Sequence, residues 1–379
     1  MRRRRGVEPP VRGAVVFETF LRPMHWSDWP PDGAELFRAC GTIKAVLTPP
    51  ADRAYLAGLA AAADLGELIA DPVALKHGSV ACWRLVTSHG DLHVKRFASA
   101  GPWLRQSLVA CAQVERAAQR AGVALAEPVA LGLDMDDAII NVHRWWAGRP
   151  IAPGDEVSGW LGHTLARLHT LSPPPAAPED ALTSYYGLHP EDDWQAWFGE
   201  GRSLGLVWAA GDDPTAAVRA ASEVIAAGLA AEPRRTGTHR DLLAANILTS
   251  GVELALVDWD CAGPDVPWFE AVRAAVELGR LAATARGAKP LDPDPRVSRA
   301  LLAAYARAGG ERGVDGRLGM AGVLGMMLWR LASAVRISLG HGLATADERA
   351  ADSAYVSGAL AKLAERMRTL DTLAGAIGL

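Results

Sequence analysis

Lysine is scarce in this chain. It occurs at five positions (Lys44, Lys76, Lys95, Lys289 and Lys362), and arginine supplies the rest of the 39 basic residues. A lysine on an apolar strand therefore stands out, because lysine is not the general surface charge here. Cysteine is sparse too. The four (Cys40, Cys82, Cys111, Cys261) lie far apart with no paired metal-ligand spacing, which argues against a disulfide framework and for a reduced, cytoplasmic setting. An excess of positive charge is also missing: the formal net charge is −4, which excludes the broad basic footprint of a nucleic-acid partner. The apolar stretch Met320 to Leu339 is interrupted by Arg330 and Arg336, so it reads as a helix buried against other helices and not as a membrane span. Arg2 to Arg5 precede no clean apolar segment, and the run reads as a basic tail instead of a targeting signal.

What remains is enough chain for about two to three domain-sized units with a sizeable core. Residues 1–60 form an extension with no assigned role. A helical stretch there runs from about Ala34 and is broken by Pro49-Pro50. Asp52 to Ile69 reads as helix. Ser79 to Val86 and Leu92 to Phe97 then read as two strands joined by the turn Ser88-His89-Gly90-Asp91. Leu104 to Ala121 has helical periodicity and stops at Gly122. Two further strands are expected at Val129 to Leu133 and Ala138 to Val142. After Gly148-Arg149-Pro150 the chain turns mainly helical, interrupted by one hairpin, Asn246 to Thr249 and Glu253 to Val257 around Ser250-Gly251. A small strand-rich part (61–146) thus precedes a larger helical part (147–379).

The strongest chemical signal is His239-Arg240-Asp241-Leu242-Leu243-Ala244-Ala245-Asn246, which fits the pattern H-R-D-L-x-x-x-N at every specified position. Twelve residues past Asn246, at the end of an apolar strand, comes Val257-Asp258-Trp259-Asp260. Phosphoryl transfer explains why these types recur together. A triphosphate needs Mg2+, and this hard cation prefers oxygen ligands such as the Asn246 amide and the Asp258 carboxylate. Asp241 is then placed to orient an attacking hydroxyl and accept its proton. Read singly, each of these residues is an ordinary turn or backbone-satisfying side chain; the octet with a downstream aspartate is not ordinary.

The same chemistry asks for a cation on the phosphates. Lys95 alternates with Leu92 and Val94 on its strand, and Glu115 on the next helix is its expected ion-pair partner. Lys76 is the runner-up cation. The phosphate-covering loop would be Lys76 to Cys82, where Gly78 and Ser79 could offer backbone N–H groups. An ordinary strand-entry turn is the equal alternative, since the full G-x-G-x-x-G is absent.

With these motifs in place, the sequence resembles the aminoglycoside phosphotransferase and choline kinase-like family over roughly residues 70 to 340. Leu161 to His169 is a supporting segment, similar to that family's helix before the catalytic loop. The resemblance implies an α+β, two-lobed protein-kinase-like fold, with a small antiparallel-sheet N-lobe and a larger, mainly helical C-lobe. It implies Asp241 as catalytic base, Asn246 and Asp258 as Mg2+ ligands, Lys95 on the phosphates and Glu115 as its anchor. Arg144-Trp145-Trp146 would be the interlobe hinge that binds the nucleotide base, although both tryptophans read equally well as core aromatics. Many relatives carry glutamate where this chain has Asp260.

The expected partners are ATP or GTP and a small-molecule hydroxyl acceptor, with no nucleic acid and no membrane. A protein kinase would show an activation segment, yet no Ser or Thr lies between Asp258 and Ala283. A non-catalytic nucleotide-binding relative is the other alternative, though all four polar groups of the reaction centre are present. For the acceptor, Glu191-Asp192-Asp193, Asp265 and Glu270 are candidate pocket carboxylates. Tyr185, Tyr186, Trp194, Trp197 and Phe198 are candidate covering aromatics. An antibiotic or other secondary metabolite is the expected acceptor.

Overall fold

The computed structural model describes residues 49–76, 80–98, 101–135, 138–178, 181–209, 215–284, 292–341 and 346–379. Gly78 and Ser79, the side chain of Lys76, and the helix expected from Ala34 lie outside the described residues.

The small lobe is a five-stranded antiparallel sheet in the order β1-β2-β3-β5-β4. Its strands are β1 (Val73–Lys76), β2 (Val80–Thr87), β3 (Gly90–Ala98), β4 (Pro128–Met135) and β5 (Ala138–Arg144). Alternation along β3 assigns its two faces. Leu92 and Val94 point into a core with Trp83, Leu85, Ile140 and Val142, while Phe97 joins Val80, Cys82, Leu104, Leu108 and Ile139 on the other side. Helix α1 (Pro49–Ala62) covers the first face through Leu56 and Leu59; helix α2 (Pro102–Arg120) covers the second through Leu104 and Leu108. Lys95 sits opposite Cys82 and Asn141, on the α2 side.

Two expectations shift here. The helix foreseen over Asp52 to Ile69 stops at Ala62, because Asp64 (φ 52°) and Gly66 (φ 88°) are left-handed and Leu65 N–H closes on Ala60 O at 2.8 Å. The chain then runs extended, and Leu68 bridges Thr87. The small lobe also begins at α1, inside the segment read above as a separate extension.

The large lobe holds α3 (Ser158–Leu168), α4 (Ala181–Tyr185), α5 (Glu191–Ser203), α6 (Ala216–Ala231), α7 (Pro267–Thr284), α8 (Pro295–Arg307), α9 (Gly316–Gly319), α10 (Ala321–Ser338) and α11 (Ala346–Ile377). Short strands decorate its upper edge. These are β6 (Arg149–Pro150), β7 (Thr236–Thr238), β8 (Ile247–Thr249), β9 (Leu254–Leu256) and β10 (Gly263–Asp265). Met320 to Leu339 is indeed an interior helix: Leu324, Leu328, Leu331 and Val335 of α10 are buried in the main core. No helix among the described residues is long and apolar enough to cross a membrane. Close approach needs glycine at two places on α10's flank. A Cβ on Gly325 would lie 2.1 Å from Tyr186, and one on Gly187, at φ +61°, would lie 2.6 Å from the Trp329 backbone.

Each fully buried leucine stabilises its lobe by roughly 1.5–3 kcal/mol. Because Leu56 is completely buried between α1 and the sheet, Leu56→Ala is expected to cost about 2–5 kcal/mol in urea unfolding. A cost below about 0.5 kcal/mol, the usual range of surface changes, would show that α1 is not part of the folded lobe.

Candidate active site

The site is built where β7 pairs with β10 and the chain leaves β7 into the His239–Asn246 loop. Thr238 Oγ1 donates to Gly263 O at 3.0 Å, closing that pairing. His239 is fully buried, its Nε2 donating to Val257 O at 3.0 Å while Nδ1 accepts from Asp241 N–H at 3.3 Å. Those two bonds fix the imidazole as the Nε2–H tautomer. Arg240 then takes a left-handed backbone conformation (φ 67°), which an arginine adopts only when its surroundings impose it. They do. Its N–H donates to the Glu270 carboxylate, its guanidinium donates to Pro264 O and lies 4.4 Å over the Tyr185 ring, and its carbonyl accepts the Tyr185 hydroxyl at 2.5 Å.

Behind the loop, buried charges satisfy one another. Glu270 meets His169 Nε2 at 2.8 Å, and His169 Nδ1 meets Tyr305 OH at 2.9 Å. Asp265 accepts from Tyr186 OH at 2.6 Å and from Val266 N–H at 2.7 Å, with Arg273 at 3.5 Å. Burial opposes ionisation of Glu270, yet its bond to His169 and the nearby cations hold it below the usual range. Asp265 and Glu270 are both completely buried. They therefore cannot line an acceptor pocket, contrary to the sequence expectation. Tyr185, Tyr186, Trp194 and Phe198 are likewise core residues, and only Trp197 of that aromatic group is partly open.

In front of the loop the predicted reaction-centre residues converge. Asn246 Nδ2 donates both to Asp241 O (2.8 Å) and to Asp241 Oδ2 (2.9 Å). Both amide protons are thus spent on Asp241, which leaves the Asn246 carbonyl as the free ligand group. Asp241 Oδ1 is buried without a partner. Burial, reinforced by the negative charge of Asp258, raises the Asp241 pKa above the ordinary carboxylate value. Asp258 is itself left-handed (φ 65°), and the short 3-10 turn after it buries the Trp259 ring against His239, with ring centroids 4.5 Å apart.

Lys95 reaches this cluster from the small lobe. Its Nζ is 2.6 Å from Asp258 Oδ1 and also bonds Asp260. Burial disfavours its charge, but the two carboxylates overcome that and hold its pKa well above normal. Burial also works against ionisation of Asp258, and the Lys95 ammonium reverses the balance, keeping Asp258 well below the usual range. Asp260, buried and beside the Asp258 charge, is pushed up to about 7 despite Lys95.

Glu115 is not the partner of Lys95. It is buried and bonded to His143 Nε2 at 2.9 Å. His143 pairs with His93 on β3, two residues short of Lys95, so the α2 carboxylate is taken up before it reaches the ammonium. Asp260 fills the role instead, and its Asp-x-Asp spacing to Asp258 was the signal available in the sequence. At the expected hinge, Arg144 N–H already donates to Glu127 O (2.8 Å) and Trp145 N–H to Asp91 O (2.9 Å). Neither donor is open to a base. The Trp146 indole N–H is buried without a partner, and the Trp146 carbonyl accepts from Gly148 N–H at 3.1 Å.

Residues 75–318 match the family described as "Phosphotransferase enzyme family". Among solved structures, the chain is similar to a choline/ethanolamine kinase family protein from Mesorhizobium loti, at 20% identity and TM-score 0.55, covering 86% of this chain and 98% of that one. It is also similar to spectinomycin phosphotransferase, APH(9)-Ia, in complex with ADP and spectinomycin, at 13% identity and TM-score 0.54, covering 84% and 98%. At these identities the likeness is one of fold: the two-lobed kinase-like architecture. No curated protein matches the chain.

Removing one member of the buried network should be felt globally. Glu270→Ala leaves His169 and the Arg240 N–H without their partner and is expected to destabilise by about 3–5 kcal/mol in chemical denaturation. A loss under about 1 kcal/mol, the scale of an exposed pair, would show that the network does not hold the loop.

Proposed function

The chain belongs to the phosphotransferase enzyme family, and from that membership we propose that it moves the γ-phosphoryl group of ATP or GTP onto a hydroxyl of a small molecule, an antibiotic or other secondary metabolite, with Asp241 as the base. The observation that carries this reading is the unpartnered, buried Asp241 Oδ1, held beside Asn246 and facing the charge of Asp258. In the reaction the acceptor oxygen attacks the γ-phosphorus and the bond to the β,γ-bridging oxygen breaks. The hydroxyl proton passes to Asp241, and the nucleoside diphosphate leaves. A carboxylate whose pKa is raised by burial is a better proton acceptor near neutral pH than an ordinary one.

The donor set suits a hard cation. Among the described residues no three His, Cys, Asp or Glu side chains converge as a metal site. The protein would therefore offer Mg2+ the Asn246 carbonyl and the Asp258 carboxylate, with phosphate oxygens and water completing the shell. Bound there, Mg2+ would neutralise charge on the transferring group. Lys95 would exchange Asp258 and Asp260 for phosphate oxygens, and backbone donors at Gly78 and Ser79 would complete the phosphate grip. The base would lie against the Arg144 to Trp146 segment, with Trp146 supplying contact. ADP in the spectinomycin phosphotransferase complex supports a nucleotide donor, and Cys111 and Cys261, which form no disulfide, suit a cytoplasmic setting.

Two measurements test the assignment. Asp241→Asn should lower kcat for nucleoside diphosphate release by about 10²–10⁴-fold while nucleotide binding persists; equal turnover would remove Asp241 as base. Lys95→Ala should raise the nucleotide KM by at least roughly tenfold through loss of a charge-assisted contact. Glu115→Gln should stay near wild type, since Glu115 pairs with His143; a Glu115→Gln defect as large as that of Lys95→Ala would restore the lysine–helix pair.

A further inference from the structure

The contact that joins the lobes engages the two groups that phosphotransfer would use. Lys95 Nζ lies 2.6 Å from Asp258 Oδ1 and also bonds Asp260. Asp258 is the carboxylate offered above to Mg2+, and Lys95 is the cation offered to the phosphates, so each is held by the other. Any share of the ammonium that turns to phosphate oxygens is taken from these carboxylates. Glu115 does not draw the ammonium away from them, since it is bonded to His143 at 2.9 Å.

The two carboxylates are not alike. The Asp258 side chain is 40% exposed and that of Asp260 15%. Asp258 can therefore exchange the ammonium for a metal ion from the cleft side. Asp260 faces inward, lining a hollow with Trp103, Leu104 and Cys111 of α2 and with Arg240. The Cys111 thiol, 3.1 Å from both Asp260 O and Ala262 O, ties this turn to α2. The Arg240 guanidinium is directed to Pro264 O and the Tyr185 ring. Among the described residues Lys95 is the one cation in ion-pair contact with Asp260; the side chain of Lys76 lies outside them. An enclosed carboxylate that loses its cation is penalised. Moving Lys95 onto phosphates thus leaves Asp258 a metal to bind and Asp260 no counter-charge, and Asp260 pulls the ammonium back.

We infer that Lys95, Asp258 and Asp260 form an autoinhibitory latch, in which Asp260 competes with the nucleotide's phosphates for the Lys95 ammonium. This rests on the phosphotransfer reading, which brings the phosphates to Lys95.

The test measures binding of ATP and of inorganic tripolyphosphate, which keeps the phosphates without the base. Each is titrated calorimetrically into the full chain at physiological ionic strength, once in EDTA and once with Mg2+. Asp260→Asn should bind both probes roughly tenfold more tightly than the wild type. A merely structural role for Asp260 would weaken binding or leave it alone. In a Lys95→Ala background the same substitution should tighten binding by less than about threefold, the remainder that one fewer screened negative charge supplies. In a Lys76→Ala background the full gain should persist. Thermal melts check that each variant is folded, and Asp260→Ser repeats the measurement with a smaller neutral side chain. An Asp260→Asn protein that binds no better than the wild type overturns the latch alone, as does a gain that survives without Lys95 or disappears without Lys76. A wild type that binds neither probe, with or without Mg2+, overturns the phosphotransfer reading together with it.

Discussion

One ammonium group joins the two lobes. Lys95 descends from the central strand of the small lobe and lies between Asp258 and Asp260 of the large lobe, 2.6 Å from the first. The Lys95 side chain is only 14% exposed, and a charge this enclosed is stable only with counter-charges at hand. The lobes are thereby registered on each other by mutual need, and Asp258 is kept ionised while Asp260 sits near the edge of protonation. Two carboxylates facing one cation leave surplus negative charge at this position.

That contact would be imprecise without the rigid frame behind the loop. Arg240 and Asp258 both hold left-handed backbone conformations that their residue types disfavour. Each bracket of the frame is a buried hydrogen bond to a charged group: Glu270 to Arg240 N–H, Arg240 to Pro264 O, and Asp265 to Tyr186. Bonds of this kind are stronger than neutral ones and leave large penalties when broken. The strain at 240 and 258 turns Asp241 and the Asp258 carboxylate forward into the cleft, while the acids at 265 and 270 are consumed in holding them there. The same frame carries α4 and the two residues after it against α10.

Much was legible in the chain alone. The octet from His239 to Asn246 and the aspartate twelve residues later marked the candidate site whose side chains the fold brings together, because their short spacing is local. Lys95 was marked by alternation on an apolar strand in a chain poor in lysine. Strand and helix order followed from period-two and 3.6-residue patterning, and the α+β two-lobed class was what the family resemblance implied. These features are decided within a few residues, so sequence suffices for them.

What only the tertiary structure decided concerns partners far apart in sequence. Glu115 was assigned to Lys95, but the register of β3 on β5 offers it His143 first, and Asp260, 165 residues beyond Lys95, takes the ammonium instead. Asp265 and Glu270 read as pocket acids until packing enclosed them, and α1 read as part of an extension until Leu56 and Leu59 closed the sheet's face. Charge pairing depends on distances across the fold and burial depends on everything that packs around a residue; neither is written in local pattern, and both had to be settled by the folded chain.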